Sequence, residues 1–393
     1  SGYPRQTMKE TLYLDYNAST PVDERVVKAM LPYFSEHFGN PSSKGHPYGW
    51  TADEACEVAR ERLADAIDAE TEEIVFTSGA TEAVNTAVKG VASAYESRGR
   101  HLVTVQTEHR AVLNAHKALE RRGYEVTYLS VDTEGRVDLD ELEDALRDDT
   151  VLVSVMWANN EVGTIHPIEE IAAMVRPRGI LLMTDATQAV GKVPVSVEHV
   201  DLLACSAHKF YGPKGVGALF ARRRGPRVRF TPLLDGGGHE DGRRSGTLNV
   251  PGIVGLGAAV EIAGRELPDF QARMLRLRDR LEAGLSKLPN AYVNVRDAVR
   301  LPQTTSIRFE GAQGNNVMMA ARDLAFSAGS ACSSGDGKPS HVLTAMGLTR
   351  DQSLSTLRIS LGRGTTEEDV DRAVERLAEA VTSLREKSAA TAT

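Results

Sequence analysis

The sequence predicts an α/β protein with a mostly parallel sheet, joined to a smaller α+β domain. From about residue 70 to 220, short β-rich runs alternate with amphipathic helical patterns, which is typical of parallel strands joined by crossover helices. After Pro251 the pattern changes to a long helical segment and then to isolated strand-like runs. Because 393 residues exceed what one hydrophobic core usually serves, we expect two domains.

EIVFTSGATEAVNTAVKG is one such strand-helix unit. The strand Ile74–Thr77 turns at Gly79, and a helix follows. The apolar face of this helix has spacings of three and four residues and consists of Val84, Ala87, Val88 and Val91. HLVTVQTEHRAVLNAHKAL repeats the plan, and VLVSVMWANNEVG, ILLMTDATQAVGK and VDLLACSAHKFYGPKG each begin with an apolar strand and continue into polar residues.

Those polar residues form the candidate site. Ligands of open α/β sheets bind beyond the carboxyl ends of the strands, so polar residues at those ends should converge on one crevice. The residues that we expect there are Thr81, His109, Asn160, Asp185, Gln188, Ser206, His208 and Lys209.

The carboxyl-terminal part predicts a second core. Its long helix has a stripe formed by Met274, Leu277, Leu281 and Leu285. TTSIRF and LRISLG are strand-like, and a last helix is expected to open at Thr365, because Glu368 three residues later completes a capping-box pattern.

Composition excludes several classes of function. A formal net charge of -8 disfavours general binding to nucleic acids or anionic membranes, which are themselves negative. The basic run ARRRGPRVRF could bind an acidic partner, but a solvated connection after a strand is the favoured interpretation. No apolar run is long enough for a membrane span, and we expect a cytoplasmic protein.

The three cysteines are far apart and form no C-x-x-C pair, which favours a reducing compartment over a disulfide framework. Cys56 and Cys205 lie in apolar patterns and are predicted core residues. Cys332 lies instead in SAGSACSSG, among serine, alanine and glycine, where a thiol can ionise and react with other molecules. An incidental thiol in a flexible loop is the alternative. The ten histidines have no metal-ligand spacing, so we expect no metal site.

Three features together suggest pyridoxal phosphate chemistry. Lys209 follows a buried strand and precedes YGPKGVG, so its amine should be partly desolvated and able to form a Schiff base. Asp185 directly follows the apolar run ILLM, where a carboxylate needs a cationic partner such as an arginine or a protonated pyridine nitrogen. The turn at Gly79, Ala80 and Thr81 offers amide donors at a helix N-terminus for a phosphate. A solvated lysine and a salt-bridged aspartate are the alternatives for the first two residues.

The motifs YLDYNASTP, FGNPSS, FTSGATEA, QTEHRAVL, NNEVGTI, TDATQAVGK, SAHKFYGPKGVGAL, GGGHEDGRRSGTLNV, SAGSACSS and LRISLGRGTTEEDV occur in this order. In them the chain resembles the cysteine desulfurases, a branch of the class V aminotransferase-like enzymes. The resemblance implies a fold type I pyridoxal phosphate enzyme with a mostly parallel seven-stranded sheet. It also implies a homodimer, a large domain over residues 15–257, and a small domain over residues 1–14 and 258–393 that carries the cysteine loop.

The resemblance further implies the residue roles. Lys209 binds pyridoxal phosphate covalently, His109 stacks on its ring, Asp185 pairs with its nitrogen and Gln188 with its phenolic oxygen. The phosphate is held by Ala80, Thr81, Ser206 and His208, together with Thr247 of the second subunit. Arg358 and Asn160 bind the substrate carboxylate. L-cysteine is then converted to L-alanine, and its sulfur passes to Cys332 as a persulfide. An acceptor such as an iron-sulfur scaffold receives the sulfur for cluster assembly or thiolation.

Three alternatives share many of these residues. A selenocysteine lyase has the same fold and cofactor. A plain class V aminotransferase would have no need of Cys332. A non-catalytic sulfur-carrier scaffold is disfavoured by the presence of Lys209, Asp185 and Arg358.

Overall fold

The computed structural model describes residues 11–328 and 338–391. Its strands, in chain order, are β1 (Leu12–Tyr13), β2 (Ile74–Thr77), β3 (His101–Val105), β4 (Glu125–Leu129), β5 (Thr150–Ser154), β6 (Leu181–Asp185), β7 (Leu202–Ser206), β8 (Gly217–Ala221), β9 (Ala291–Val293), β10 (Thr304–Phe309), β11 (Leu324–Ala325), β12 (Ser327–Ala328) and β13 (Thr356–Ser360).

The α-helices lie on both faces of the main sheet and in the carboxyl-terminal part of the chain. They are α1 (Glu24–Met30), α2 (Pro32–Ser35), α3 (Pro47–Ala66), α4 (Ala80–Ala94), α5 (Arg110–Glu120), α6 (Leu139–Ala145), α7 (Ile168–Val175), α8 (Val250–Leu285), α9 (Gly314–Ala320), α10 (His341–Ala345), α11 (Arg350–Leu354) and α12 (Glu367–Thr391). No helix in the described ranges is both long and apolar enough to cross a membrane.

A seven-stranded sheet is the centre of the fold, in the order β2-β8-β7-β6-β5-β3-β4. All neighbouring pairs are parallel except those of β8, which runs antiparallel to both β2 and β7. Strands β5, β6 and β7 are buried throughout, which explains their continuous apolar runs. The prediction of a mostly parallel α/β sheet is confirmed.

One apolar core lies on each face of this sheet. Helices α3 and α7 and the first half of α8 contribute to one core, and α4 and α5 contribute to the other. Cys56 and Cys205 are both buried, as predicted. The sheet is therefore a rigid platform whose strand ends have fixed positions.

A separate core surrounds the smaller sheet β12-β13-β10-β9. The predicted stripe on α8 packs into it and is fully buried: Met274, Leu277, Leu281 and Leu285. Because the first half of α8 packs on the main sheet, this one helix joins the two cores. The division at residue 258 falls inside α8, and the domain limits stay a prediction.

The last helix begins slightly later than predicted. Thr366 and Asp369 form the reciprocal cap of α12, each backbone N–H donating to the other's side chain. Thr365 does not cap the helix because its Oγ1 accepts the N–H of Gly362 at 3.0 Å. The capping pattern predicted at Thr365 and Glu368 is thus displaced by one residue.

The basic run after β8 is partly folded back onto the protein. Arg224, Arg227 and Arg229 are exposed, as expected for a solvated connection. Arg222 is half-buried, and its guanidinium donates to the carbonyl oxygen of Val200. The Arg222 side chain therefore contributes to the packing of the fold, unlike the exposed arginines of this run.

Candidate active site

A cavity of about 550 Å³ lies beyond the carboxyl ends of the main-sheet strands. It receives residues from the amino-terminal segment, from the main sheet and, through Arg358, from the smaller sheet. The predicted residues that line it are Ala80, Thr81, His109, Asn160, Asp185, Gln188, Ser206, His208, Lys209 and Arg358.

Of the other two predicted residues, one does not line the cavity and one lies outside the described part of the chain. Thr247 is exposed and does not line this chain's own cavity. Cys332 lies outside the described residues. Asn17 and Ala18 line the cavity although we assigned them no role from the sequence. Their motif, YLDYNASTP, was the available signal.

The turn that precedes α4 is suited to an anion. Gly79 has φ +148, a conformation that side chains rarely adopt, and a Cβ there would lie 3.5 Å from Ser206 Oγ. Among residues 11–328 and 338–391, no side chain caps the amino terminus of the 15-residue helix α4. Its first amides and its dipole therefore favour a negatively charged group in the cavity.

Asp185 ends β6, and its Oδ1 accepts the N–H of Thr187 at 3.0 Å. Behind it lies the fully buried Glu108, whose Oε1 accepts the N–H of Met156. Burial, and then the charge of Asp185, raise the pKa of Glu108 well above its ordinary value. Burial and the nearby Asp185 carboxylate thus both favour the protonated form of Glu108.

Lys209 lies in a 3-10 turn, Ala207–Lys209, directly after β7. Its Nζ donates to the carbonyl oxygens of Asn17 and Ala18, both at 2.7 Å. Gln188 Nε2 donates to the same Asn17 oxygen at 2.8 Å. Gln188 Oε1 in turn accepts a hydrogen bond from Lys192 Nζ at 2.5 Å. The Asn17 carbonyl thus fixes both an amine and an amide beside the cavity.

Lys192 is buried, and its described partner is the Gln188 amide. Burial, and then the charges of Lys209 and Arg358, lower the pKa of Lys192 well below its ordinary value.

Two histidines contribute neutral imidazoles. His109 caps α5, where its Nδ1 accepts the N–H of Ala111, and burial lowers its pKa although Asp185 opposes this effect. His208 Nδ1 lies 3.2 Å from Ser19 Oγ. Burial, and then the neighbouring lysines, lower the pKa of His208 to about 4. Neither ring carries a charge at neutral pH.

Arg358 is the one arginine among the described residues that line the cavity. Its Nη2 donates to Asp15 Oδ1 at 2.7 Å and its Nη1 to the carbonyl oxygen of Asn160 at 3.1 Å. A guanidinium is suited to binding a carboxylate. The predicted two-pronged clamp would therefore use an arginine that already has a carboxylate partner.

Comparisons with known proteins show the family of this chain. The family described as Aminotransferase class-V matches residues 12–373. A relative named Cysteine desulfurase IscS, from Anaeromyxobacter sp. (strain Fw109-5), is 54% identical over 384 residues, covering 97% of this chain and 95% of the relative. The chain belongs to the cysteine desulfurases of the class V aminotransferase family. The Neisseria gonorrhoeae (strain ATCC 700825 / FA 1090) protein of the same name is 50% identical over the same coverage.

Two solved structures have the same fold. A structure titled NIFS-LIKE PROTEIN has a TM-score of 0.88 and 41% identity, covering 95% of this chain and 99% of the other. One titled "SspA in complex with cysteine" has a TM-score of 0.79 and 38% identity, covering 89% and 99%.

The class V aminotransferase family depends on pyridoxal phosphate, and the cavity of this cysteine desulfurase family member fits that group chemically. It offers a primary amine at Lys209, a carboxylate at Asp185 and the first helix amides, at Ala80 and Thr81. These are the partners that an aldehyde, a protonated ring nitrogen and a phosphate require.

Proposed function

We propose that the protein is a pyridoxal phosphate-dependent cysteine desulfurase that converts L-cysteine to L-alanine and receives the sulfur at Cys332 as a persulfide. The observation that carries the proposal is the convergence of Lys209, Asp185, the turn at Gly79 and Arg358 on one cavity. These four features are suited, in that order, to binding an aldehyde, a protonated ring nitrogen, a phosphate and a substrate carboxylate.

The cofactor would be held by residues at the strand ends. Lys209 would bind it covalently, Asp185 would pair with its ring nitrogen, and Gln188 would donate to its phenolic oxygen. His109 would stack on the ring. The phosphate partners would be Ala80, Thr81, Ser206 and His208, with Thr247 of a second copy. When bound, the group withdraws electrons from the substrate Cα and weakens its C–H bond.

Arg358 and Asn160 would bind the substrate carboxylate, and Lys209 would remove the Cα proton. The Cys332 thiolate would attack the substrate sulfur, forming an S–S bond as the Cβ–S bond breaks and its electron pair stays with the carbon part. Protonation of that part gives L-alanine. The balance is one cysteine and one enzyme thiol in, one alanine and one enzyme persulfide out.

The described ends of the cysteine segment support this role for Cys332. On one side Ser327 Oγ contacts Arg358 Nη2 at 3.1 Å. On the other side His341 Nε2 lies 2.9 Å from the Glu108 carbonyl oxygen. Cys332 follows Ala328 by four residues, a length of chain that spans at most about 14 Å. This length of chain would allow the Cys332 thiol to reach the cavity.

The decisive experiment measures alanine and sulfide from L-cysteine with a reductant. We expect Cys332→Ser to bind cofactor and amino acid yet release no sulfide, and Lys209→Ala to lose the visible absorbance of covalently bound cofactor. Cys56→Ala, at a buried thiol away from the cavity, is the matched control and should stay active. Normal desulfuration by Cys332→Ser would overturn the role of Cys332. Turnover of L-selenocysteine in parallel distinguishes a selenocysteine lyase.

We also infer a homodimer that passes sulfur to an acceptor such as an iron-sulfur scaffold in the cytoplasm. Exposed apolar side chains at Phe34, Phe38, Tyr48 and Trp50 support a subunit interface. Sedimentation equilibrium of the holoprotein tests this, and a monomer at micromolar concentration would contradict it.

A further inference from the structure

Arg358 forms an ion pair with the carboxylate of Asp15. Its side chain is 6% exposed, and that of Asp15 is 18% exposed. Ser327 Oγ accepts a hydrogen bond from Arg358 Nη2 at 3.1 Å and donates one to Asp15 Oδ2 at 2.9 Å. Arg358 Nε is buried and has no hydrogen-bond partner in the described part of the chain. The positive charge of the guanidinium is thus balanced by Asp15, while its Nε–H group remains available as a donor.

A buried guanidinium with no counter-charge is strongly destabilised, and any carboxylate that reaches it is then bound tightly. Asp15 removes that instability before a ligand arrives. A ligand carboxylate must share Arg358 with Asp15, and the two negative charges repel each other. By linkage, Asp15 and the ligand carboxylate each weaken the other's interaction with Arg358.

This matters because substrate and product present the same carboxylate. L-cysteine and L-alanine differ only at the sulfur, so Arg358 cannot distinguish them. Binding that is equally strong for both does not accelerate the chemical step, and it delays product release. We propose that Asp15 is an affinity-determining residue, an internal counter-ion that limits how tightly Arg358 holds the carboxylate and so lets L-alanine leave. This inference rests on the proposed function.

The test is Asp15→Asn, which removes the charge but keeps the shape and one acceptor oxygen. We expect L-alanine to bind about tenfold more tightly, measured by equilibrium titration of the bound cofactor's absorbance and by product inhibition. KM for L-cysteine should fall, and kcat should fall as product release slows. Ethylamine, which lacks a carboxylate, should bind equally to both proteins. A merely structural defect would weaken the binding of both ligands.

Glu282→Gln is the matched control. Glu282 is the partner of Arg300 at a similarly buried ion pair, with side chains 14% and 9% exposed, and neither residue lines the cavity. This variant should lose stability and bind L-alanine as the wild type does.

A measurement on the wild type needs no variant. If Asp15 neutralises Arg358, L-alanine should bind no more than about tenfold more tightly than its neutral amide. A preference above a hundredfold, or unchanged or weaker L-alanine binding in Asp15→Asn, overturns the inference. If the wild type makes no alanine from L-cysteine, the proposed function has failed instead.

Discussion

Removing one charge of the buried ion pair between Arg60 and Glu240 should strongly destabilise the protein, because the other charge would stay buried without its buried partner. Their side chains are 9% and 1% exposed, and Arg60 Nη2 and Nη1 donate to the two Glu240 oxygens at 2.8 and 3.0 Å. Glu240 Oε2 also accepts the N–H of Phe76 at 2.7 Å. The pair ties the loop around Glu240 to β2, which leads directly into the turn at Gly79.

In Glu240→Gln, the side chain keeps one acceptor oxygen, and its NH2 group must face a donor. Removing one charge of a buried ion pair costs about 3–5 kcal/mol of stability. Because glutamine retains one acceptor oxygen, we expect the free energy of unfolding to fall by about 3 kcal/mol. Urea unfolding of the holoprotein, followed by circular dichroism, measures it. The control is Glu57→Gln, because Glu57 is the exposed partner of the same Arg60 and should contribute less than about 1 kcal/mol. Equal losses in both variants would refute the reasoning.

Two glycines of α8 and two buried histidines give further predictions about stability. Gly257→Ala places a Cβ 2.6 Å from Ala59 Cα, between α8 and α3, and should cost about 1–3 kcal/mol of stability. Gly264→Ala on the same helix meets no described atom within 4 Å and should stabilise the protein by about 0.5–1 kcal/mol. Thermal denaturation compares the two variants. Burial lowers the pKa of His116 and His166 from 6.5 to about 4, so the unfolded chain binds more protons and stability should fall as pH drops from 6.5 toward 4. A urea midpoint unchanged between pH 7 and 5 would contradict this.

The main sheet could be predicted because its strands are buried on both faces, and burial leaves a continuous apolar run that ends where the strand ends. The polar residues at those ends, such as Asp185 and Lys209, were therefore visible in the sequence. The direction of β8 was not, since an apolar run has the same appearance in either direction. The start of α12 was displaced by one residue because Thr365 and Thr366 both fit a cap, and only the structure shows Thr365 bonded to Gly362.

The contacts of Asp15 and Asn17 could not be predicted from local patterns. Asn17 accepts a hydrogen bond from Lys209, 192 positions away, and Asp15 pairs with Arg358, 343 positions away. Both residues follow a strand of only two residues. Periodicity and capping describe neighbours within a few positions, so they carry no information about such distant partners.

The segment 15–18 consequently has more influence on the site than its length suggests. Its carbonyl groups hold the amine of Lys209 on the main sheet, and its carboxylate holds the guanidinium of Arg358 on the smaller sheet. Asn17 is itself fixed, because its Nδ2 donates to Thr304 Oγ1 and its N–H to Ser360 Oγ. The distance between a group that would bind the cofactor and a group that would bind the substrate carboxylate is therefore set by one short stretch of chain. A displacement of this stretch would alter both contacts together, whereas a displacement of either sheet alone would break one of them.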